Sequence, residues 1–148
     1  MKISVKGRYA LAAVVDIARN SGSGGNVSVI NISKTLGISK IYLEQVFAQL
    51  KKANILLSSK GSKGGYLLSR PPVKITAWDV LASLEATLAE HAENTVEENA
   101  PEIESAMKTL VFRPLDDAVM NFLSGITVQD LLDFSDKQKS GQAFMLNM

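Results

Sequence analysis

Two short amphipathic segments joined by a three-residue turn constrain the fold of this chain most strongly. Ser28 can cap a helix that runs through Leu36, and Gly37 follows where a left-handed residue often ends a helix. Ser39 can cap the next helix, which runs to about Ala53. That second helix carries an apolar stripe, made of Leu43, Val46, Phe47 and Leu50. A glycine-containing turn of this length between two helices predicts a helix-turn-helix.

The second helix carries the candidate base-reading residues. Its outward or flanking polar side chains include Lys40, Tyr42, Glu44 and Gln45. In a major groove, Gln45 can pair with adenine, Glu44 can accept from cytosine, and Tyr42 can contact a phosphate or a thymine methyl group. The free N–H groups of the helix N-terminus at Ser39 can bind a phosphate. The alternative is an ordinary surface helix with solvated polar residues.

A basic hairpin is predicted directly after the helix-turn-helix. Extended segments at 55–59 and 65–69 flank Lys60-Gly61-Ser62-Lys63-Gly64, the pattern of strand, glycine-rich turn and strand. Small residues let the backbone approach DNA closely, and Lys60 and Lys63 can lie along a minor groove. A hairpin without a ligand is the alternative. A nucleotide-binding loop is not indicated, because neither phosphate-loop spacing is present.

Charge divides the chain into two unlike parts. Residues 1–75 hold 12 of the 16 Lys and Arg and two of the 15 Asp and Glu, which gives about +10. Residues 76–148 hold four basic and 13 acidic residues, about −9, so the net charge of +1 hides both. A compact module with such an excess of positive charge attracts polyanions, whereas the acidic part is better suited to dimerisation or sensing. The alternative is a solubility gradient without a partner.

The C-terminal part is predicted to be helical around an acidic loop. Thr76 and Asp79 can form a capping box for a helix through about Leu88, and residues 89–105 are expected to be mostly loop. A long helix from about Glu102 to Ser124 should be kinked or divided at Pro114. A short helix from Thr127 through Phe134 and a polar tail complete the chain. The expected fold is therefore mainly α, with a DNA-binding domain at 1–75 and a dimerisation or regulatory region at 76–148.

Composition removes several functional classes. The chain of 148 residues has no cysteine, which excludes thiolate catalysis and cysteine-ligated zinc or iron–sulfur sites. Its single histidine, His91, has no second histidine with which to form a metal cluster, and no nucleophile motif occurs. The longest unbroken apolar run, from Ala10 to Val15, is far too short to span a bilayer. These features predict a soluble cytoplasmic protein that is not an enzyme and needs no cofactor.

Several motifs together resemble the bacterial Rrf-two family, the family of the IscR, NsrR and CymR regulators. They are Lys6-Gly-Arg-Tyr-Ala10, Gly37-Ile-Ser39, Tyr42-Leu-Glu-Gln45, Gly64-Gly-Tyr66, Ile75-Thr-x-x-Asp79-Val, Phe112-Arg113, Asp117-Ala118 and Ile126-Thr127 through Leu131. The resemblance covers nearly the whole chain in the right order. It implies a homodimeric winged-helix transcription factor, usually a repressor, whose long C-terminal helices pair the subunits on double-stranded DNA.

The resemblance also implies roles for single residues. Base-reading positions carry over to Ser39, Tyr42, Glu44 and Gln45. Wing contacts carry over to Lys60, Gly61, Ser62 and Lys63, and phosphate contacts to Lys6 and Ser28. Many members bind an iron–sulfur cluster through three cysteines in the stretch that corresponds to residues 89–105, which here contains none. The chain therefore resembles the cluster-free, CymR-like branch.

Two other interpretations of the chain stay open at this point. The tail Phe144-Met-Leu-Asn-Met148 resembles that branch, in which a regulator can pair with an enzyme of cysteine biosynthesis, so the chain could be an adaptor that docks such an enzyme. It could also be a small-molecule-responsive regulator with a pocket between its two halves. The main hypothesis is a dimeric, cluster-free winged-helix repressor that binds half-sites about 34–36 Å apart.

Overall fold

The described residues, 3–22, 25–62, 64–90 and 93–146 (143, 144 and 146 by their backbone only), form seven α-helices and one hairpin in the computed structural model. The helices are α1 (Val5–Asn20), α2 (Val29–Leu36), α3 (Lys40–Lys52), α4 (Ala77–Leu84), α5 (Pro101–Met107), α6 (Arg113–Ser124) and α7 (Val128–Leu146). The hairpin strands are β1 (Leu56–Ser59) and β2 (Gly65–Leu68). This mainly helical winged fold confirms the predicted fold class.

The helix-turn-helix forms as the sequence predicts. The Asn31 N–H donates to Ser28 Oγ at the start of α2, and the Tyr42 N–H donates to Ser39 Oγ at the start of α3, both at 3.2 Å. Gly37 ends α2 in the left-handed region, with φ of 68°. An L side chain is disfavoured at that angle, so glycine allows the sharp turn without conformational strain.

The core lies among α1, α2, α3 and the hairpin, and it also includes residues beyond position 75. Its fully buried members include Ala13, Val14, Ile17, Ile32, Leu43, Val46, Phe47, Leu50, Ile75, Val80 and Val128. Helix α1 packs on α4 and α7 as well as on α2 and α3. Tyr9, which shares helical spacing with the apolar residues of α1, lies outside this core at the surface. None of the described helices combines the length and apolar content that a bilayer crossing requires.

Helix α4 begins at the predicted capping box and ends earlier than predicted, at Leu84 instead of Leu88. The Asp79 N–H donates to Thr76 Oγ1 (3.1 Å), and the Thr76 N–H donates to Asp79 Oδ2 (2.9 Å). Glu85 then leaves the helix in an extended conformation, and its Oε1 accepts hydrogen bonds from the N–H and Oγ of Ser4. Glu85, which would be the next residue of α4, instead anchors the start of α1 through its carboxylate.

The acidic segment is organised by one of its own carboxylates. Glu104, on α5, is only 4% exposed. Its Oε2 accepts hydrogen bonds from the Val96 N–H (3.0 Å) and the Thr95 hydroxyl (3.2 Å), and its Oε1 accepts from the Thr95 N–H (3.2 Å). The hydrogen bond from Val96 is the main reason that the pKa of Glu104 lies below its ordinary value. Glu104 therefore folds this loop back onto α5.

We expect Glu104→Gln to loosen the acidic segment and to make the stability of that segment less dependent on pH. Because the folded pKa is lowered, the ionised carboxylate adds stability above the unfolded pKa, and that stability is lost as the pH falls through the folded pKa. Hydrogen exchange at the Val96 amide checks this: protection should fall in acid for the wild type and be low throughout in the variant. Glu98→Gln, an exposed change in the same segment, is the control. Equal protection in the wild type and Glu104→Gln would contradict the anchoring role.

The long helix predicted over 102–124 is divided, and Pro114 explains how. Residues Lys108–Phe112 form a π-helical turn between α5 and α6, and the Arg113 N–H donates to the Lys108 carbonyl five residues back. Proline has no N–H and its ring crowds the preceding turn, so a widened turn just before it relieves the clash. The helix continues through Pro114 up to Gly125, where the sequence predicted its end.

Helix α7 is much longer than the predicted short helix. It begins at a capping box, in which the Asp130 N–H donates to Thr127 Oγ1 (3.0 Å) and the Thr127 N–H donates to Asp130 Oδ2 (2.9 Å). It then continues past Phe134 to Leu146. Arg19 of α1 bonds to Ser135 Oγ and forms an ion pair with Asp136 (3.3 Å). These contacts hold α7 to α1 at residues that the sequence predicted to lie in a polar tail beyond the short helix.

Candidate nucleic-acid interface

Helix α3 presents one fully exposed face opposite its buried stripe. Ile41, Glu44, Gln45 and Ala48 lie at i, i+3, i+4 and i+7, and all four are exposed. Lys40 flanks this face and forms an ion pair with Glu44 at 3.9 Å. The predicted residues Lys40, Glu44 and Gln45 are therefore brought together on a surface that a major groove could accept.

Tyr42 lies at the edge of this face, where it is half-buried. Its ring meets that of Tyr9 from α1 edge-on, with centroids 5.6 Å apart. Lys6 is three residues before Tyr9 and so shares its face of α1. This contact holds the N-terminal parts of α1 and α3 side by side.

The wing, residues 56–68, is an antiparallel hairpin with a thin tip. Its pairs run from Leu56 with Leu68 to Ser59 with Gly65. Lys60, Gly61 and Ser62 are exposed at the tip, and Gly61 has a φ of 102°, which favours glycine. Lys63, also predicted to contact DNA, lies outside the described residues.

A second pairing fixes the wing beside the start of α2. The Val27 N–H donates to the Tyr66 carbonyl, and the Tyr66 N–H donates to the Val27 carbonyl, both at 2.8 Å. The strand β2 is therefore bonded on both edges, to β1 and to Val27. At Gly65 an added Cβ would lie 2.5 Å from the Val27 carbonyl oxygen, so this approach requires glycine. Ser28, a predicted phosphate contact, follows Val27 directly and thus lies next to the wing.

Tyr66 connects the wing to α3. Its ring packs on that of Phe47, with centroids 4.5 Å apart. Burial raises the pKa of Tyr66, and the negative charge of Glu44 raises it further. The contact between Phe47 and Tyr66 therefore holds α3 and the wing close together.

The base of the wing is held by Arg70. Its Nε donates to the Lys74 carbonyl (2.9 Å), its Nη1 to the Asn54 carbonyl (3.2 Å) and its Nη2 to Asp79 Oδ2 (3.0 Å). Asn54 adopts a left-handed φ of 61° between α3 and β1. Arg70 thus connects both ends of the hairpin to the first turn of α4.

Most of the described basic side chains in residues 1–75 form no ion pair and can meet a polyanion. In the described part of residues 1–75, ion pairs involve Arg19, Lys40 and Arg70. The remaining described cations form none; they are Lys6, Arg8, Lys34, Lys51, Lys52, Lys60 and Lys74. Positive charge that is not neutralised internally attracts nucleic acid phosphates and accelerates association.

Two exposed apolar residues of the α3 face are absent from the candidate site residues predicted from sequence. Ile41 is 71% exposed beside Glu44 and Gln45, and Ala48 is exposed one turn later. Both can make apolar contact with a thymine methyl group. The signal was present in the sequence, because these positions complement the buried stripe at helical spacing. They were missed because only polar side chains of this helix were selected as candidates.

Comparison with known proteins agrees with this geometry. The model of the Rrf2 family, described as an iron-dependent transcriptional regulator, matches residues 3–133. The HTH-type transcriptional regulator CymR of Bacillus subtilis is 34% identical over 146 residues, covering 99% of this chain and 100% of that protein. The HTH-type transcriptional regulator IscR of Cronobacter sakazakii is 35% identical over 147 residues, covering 93% of this chain and 88% of that protein.

Solved structures of CymR proteins are similar in fold to this chain. That of B. subtilis CymR, called the global cysteine regulator, has a TM-score of 0.71 at 32% identity and covers 90% of this chain and 98% of that one. The oxidised form of Staphylococcus aureus CymR has a TM-score of 0.67 at 35% identity and covers 89% and 96%.

The family description mentions iron, but the residues present here do not fit a thiolate-ligated iron site. The sequence has no cysteine, and within the described ranges no three His, Asp or Glu residues are grouped to hold a metal ion. The features shared with these relatives are the helix-turn-helix and the wing fixed beside it. By sequence over nearly its whole length and by this DNA-binding architecture, the chain belongs to the Rrf2 family of transcriptional regulators.

Proposed function

We propose that this regulator is a cytoplasmic, homodimeric repressor that binds a two-fold-related operator without an iron–sulfur cluster. The observation that carries the proposal is the exposed face of α3, with Glu44 and Gln45, held beside a basic wing. In this arrangement α3 enters a major groove, and Lys60, Gly61 and Ser62 of the wing follow the adjacent backbone or minor groove. Residues 1–75 then bind DNA and residues 76–148 pair the subunits.

An exposed apolar surface on α5, the π-helical turn and α6 supports the homodimer. Leu110 is 76% exposed and Phe122 is 69% exposed, and they lie among other exposed apolar residues: Ile103, Val111, Leu115 and Met120. Large exposed apolar side chains concentrated in one part of a chain are typical of an interaction site. A second copy of the same helices would cover it, and a two-fold axis would place two α3 helices on successive turns of one face of DNA, about 34–36 Å apart.

The regulated genes are proposed from the relatives. The B. subtilis relative is called the global cysteine regulator, and we infer that this chain also controls genes of sulfur metabolism. An enzyme of cysteine biosynthesis is the proposed protein partner, with the exposed Met145 near the end of α7 as part of the contact. Selection of genomic fragments by the purified chain tests the first point. Operator binding measured with and without that enzyme, for the full chain and for one lacking 143–148, tests the second.

Base reading and backbone contact should respond differently to substitution. Gln45→Ala is expected to cost about 1–3 kcal/mol on the selected operator and to relax preference at one base position. Lys60→Ala should weaken operator and random duplex about equally and reduce the salt slope by about one unit. Fluorescence anisotropy titrations at several salt concentrations measure both effects. The exposed changes Gln138→Ala and Lys137→Ala on α7 are the controls. Identical behaviour of the Gln45 and Lys60 variants would contradict the assignment.

A further inference from the structure

A cavity of about 410 Å³ lies where α1, α2 and α7 meet. Its walls are largely aliphatic, with Leu11 and Val15 from α1, Leu36 from α2 and Leu131 from α7. This volume falls within the range of small-molecule sites, which are mostly apolar with a few polar groups that fix orientation. The cavity is separate from the exposed face of α3 and from the wing.

The polar groups that line this cavity include two that lack a full set of partners. Asp16 is 3% exposed; its Oδ1 accepts from Asn20 Nδ2 (3.1 Å), while its Oδ2 is buried without a hydrogen-bond partner. Arg19 Nε is likewise buried and unpaired, although its Nη2 is bonded to Ser135 and Asp136. A buried donor or acceptor without a hydrogen-bond partner lowers the stability of the fold. A ligand that supplies the missing partners restores that free energy on binding.

We propose that this cavity binds a zwitterionic amino acid with an aliphatic or otherwise apolar side chain. The ammonium group pairs with Asp16 and the carboxylate pairs with Arg19, while Arg8, which also lines the cavity, adds positive charge to its wall. The side chain lies among Leu11, Val15, Leu36 and Leu131. A purely anionic ligand would leave Asp16 Oδ2 without a hydrogen-bond donor, and a purely cationic one would meet two arginines. A zwitterion satisfies both signs of charge.

The location of the cavity gives such a ligand a route to the DNA-binding surface. It touches α2, the first helix of the helix-turn-helix, and α7, whose Ser135 and Asp136 are held by the same Arg19 that would bind the carboxylate. A bound amino acid therefore contacts both α2 and α7, which belongs to the acidic C-terminal part. An effect on repression rests on the proposed function, whereas binding of the amino acid does not.

The test is a titration of the full-length chain without DNA. The common L-amino acids are screened by isothermal calorimetry and by chemical shifts of amides along α1 and α7. Leucine, methionine and phenylalanine are compared with 4-methylpentanoate, which lacks the amine, and 3-methylbutylamine, which lacks the carboxylate. We expect at least one apolar amino acid to bind, and each truncated probe to bind at least about tenfold more weakly, since a lost charged hydrogen bond is worth about 1.5–3 kcal/mol.

Two variants show whether the site is this cavity. Asp16→Asn removes the charge with little change of shape, and Ala12→Phe fills the cavity from an exposed position on its rim and leaves Asp16 itself unsubstituted. Both should abolish binding, while Glu98→Gln should bind normally. The proposal is overturned if no amino acid perturbs the cavity amides, or if binding survives both substitutions. Because DNA is absent, either result leaves the proposed function untouched.

Discussion

Replacing Leu110 by Asp is expected to leave the chain monomeric and to abolish tight operator binding. Leu110 is among the most exposed apolar residues of the α5–α6 surface, and a buried unpaired carboxylate at a dimer interface is strongly unfavourable. A dimer holds its second α3 near the second half-site at high effective concentration. Losing this advantage should weaken binding of a two-half-site duplex by about 10²–10⁴-fold. Sedimentation and anisotropy measure the two effects on one sample.

Phe122→Asp should behave like Leu110→Asp, and Phe134→Asp should not. Phe134 is an apolar residue of similar exposure on α7, away from the proposed interface, so it controls for a general loss of solubility. Monomeric Leu110→Asp should still bind a single half-site weakly, with normal salt dependence. A dimeric Leu110→Asp variant would place the subunit contact elsewhere, while a monomeric one with unchanged operator affinity would contradict the need for a dimer.

Phe47→Ala should destabilise the fold by about 3–5 kcal/mol, as deletion of a large buried aromatic side chain usually does. Phe47 is fully buried on α3 and packs on Tyr66 of the wing. The substitution therefore opens a cavity beneath both elements that are proposed to contact DNA. Urea unfolding gives the loss of stability. Anisotropy at a temperature where the variant is still folded should show weakened binding of operator and random duplex alike.

Phe47→Leu is the matched control, because it keeps the site apolar and leaves a smaller cavity. Its cost should be well below that of Phe47→Ala, and its DNA binding should be closer to wild type. Equal destabilisation by the two variants would mean that the aromatic ring itself, rather than filled volume, is required at the contact with Tyr66. An unfolding free energy within about 1 kcal/mol of wild type for Phe47→Ala would contradict the packing described.

The N-terminal part was predictable because its signals are local. Ser28, Gly37 and Ser39 sit at fixed offsets from an apolar stripe, and each cap depends on a few neighbouring residues. The fold confirms their positions, and the comparisons confirm a DNA-binding regulator. The individual contacts assigned to Lys6, Gln45 and Lys60 stay predictions.

The C-terminal part was less predictable because its structure depends on distant partners. Helix α7 continues beyond Phe134 alongside α1, where Arg19 contacts Ser135 and Asp136 across more than a hundred residues of sequence. Glu104 lies in a segment predicted to be mostly loop, yet its carboxylate accepts hydrogen bonds from the N–H groups of Thr95 and Val96. No periodic pattern along the chain reports such long-range or loop-closing hydrogen bonds.

The π-helical turn before Pro114 has a consequence for how two subunits would meet. In an uninterrupted α-helix, Ile103 and Leu115 are twelve positions apart and would point about 120° away from each other. One extra residue in the widened turn removes about 100° of rotation, which leaves them within roughly 20°. The widened turn before Pro114 thus brings Ile103 of α5 and Leu115 of α6 to the same side, so that apolar residues of both helices can face one partner.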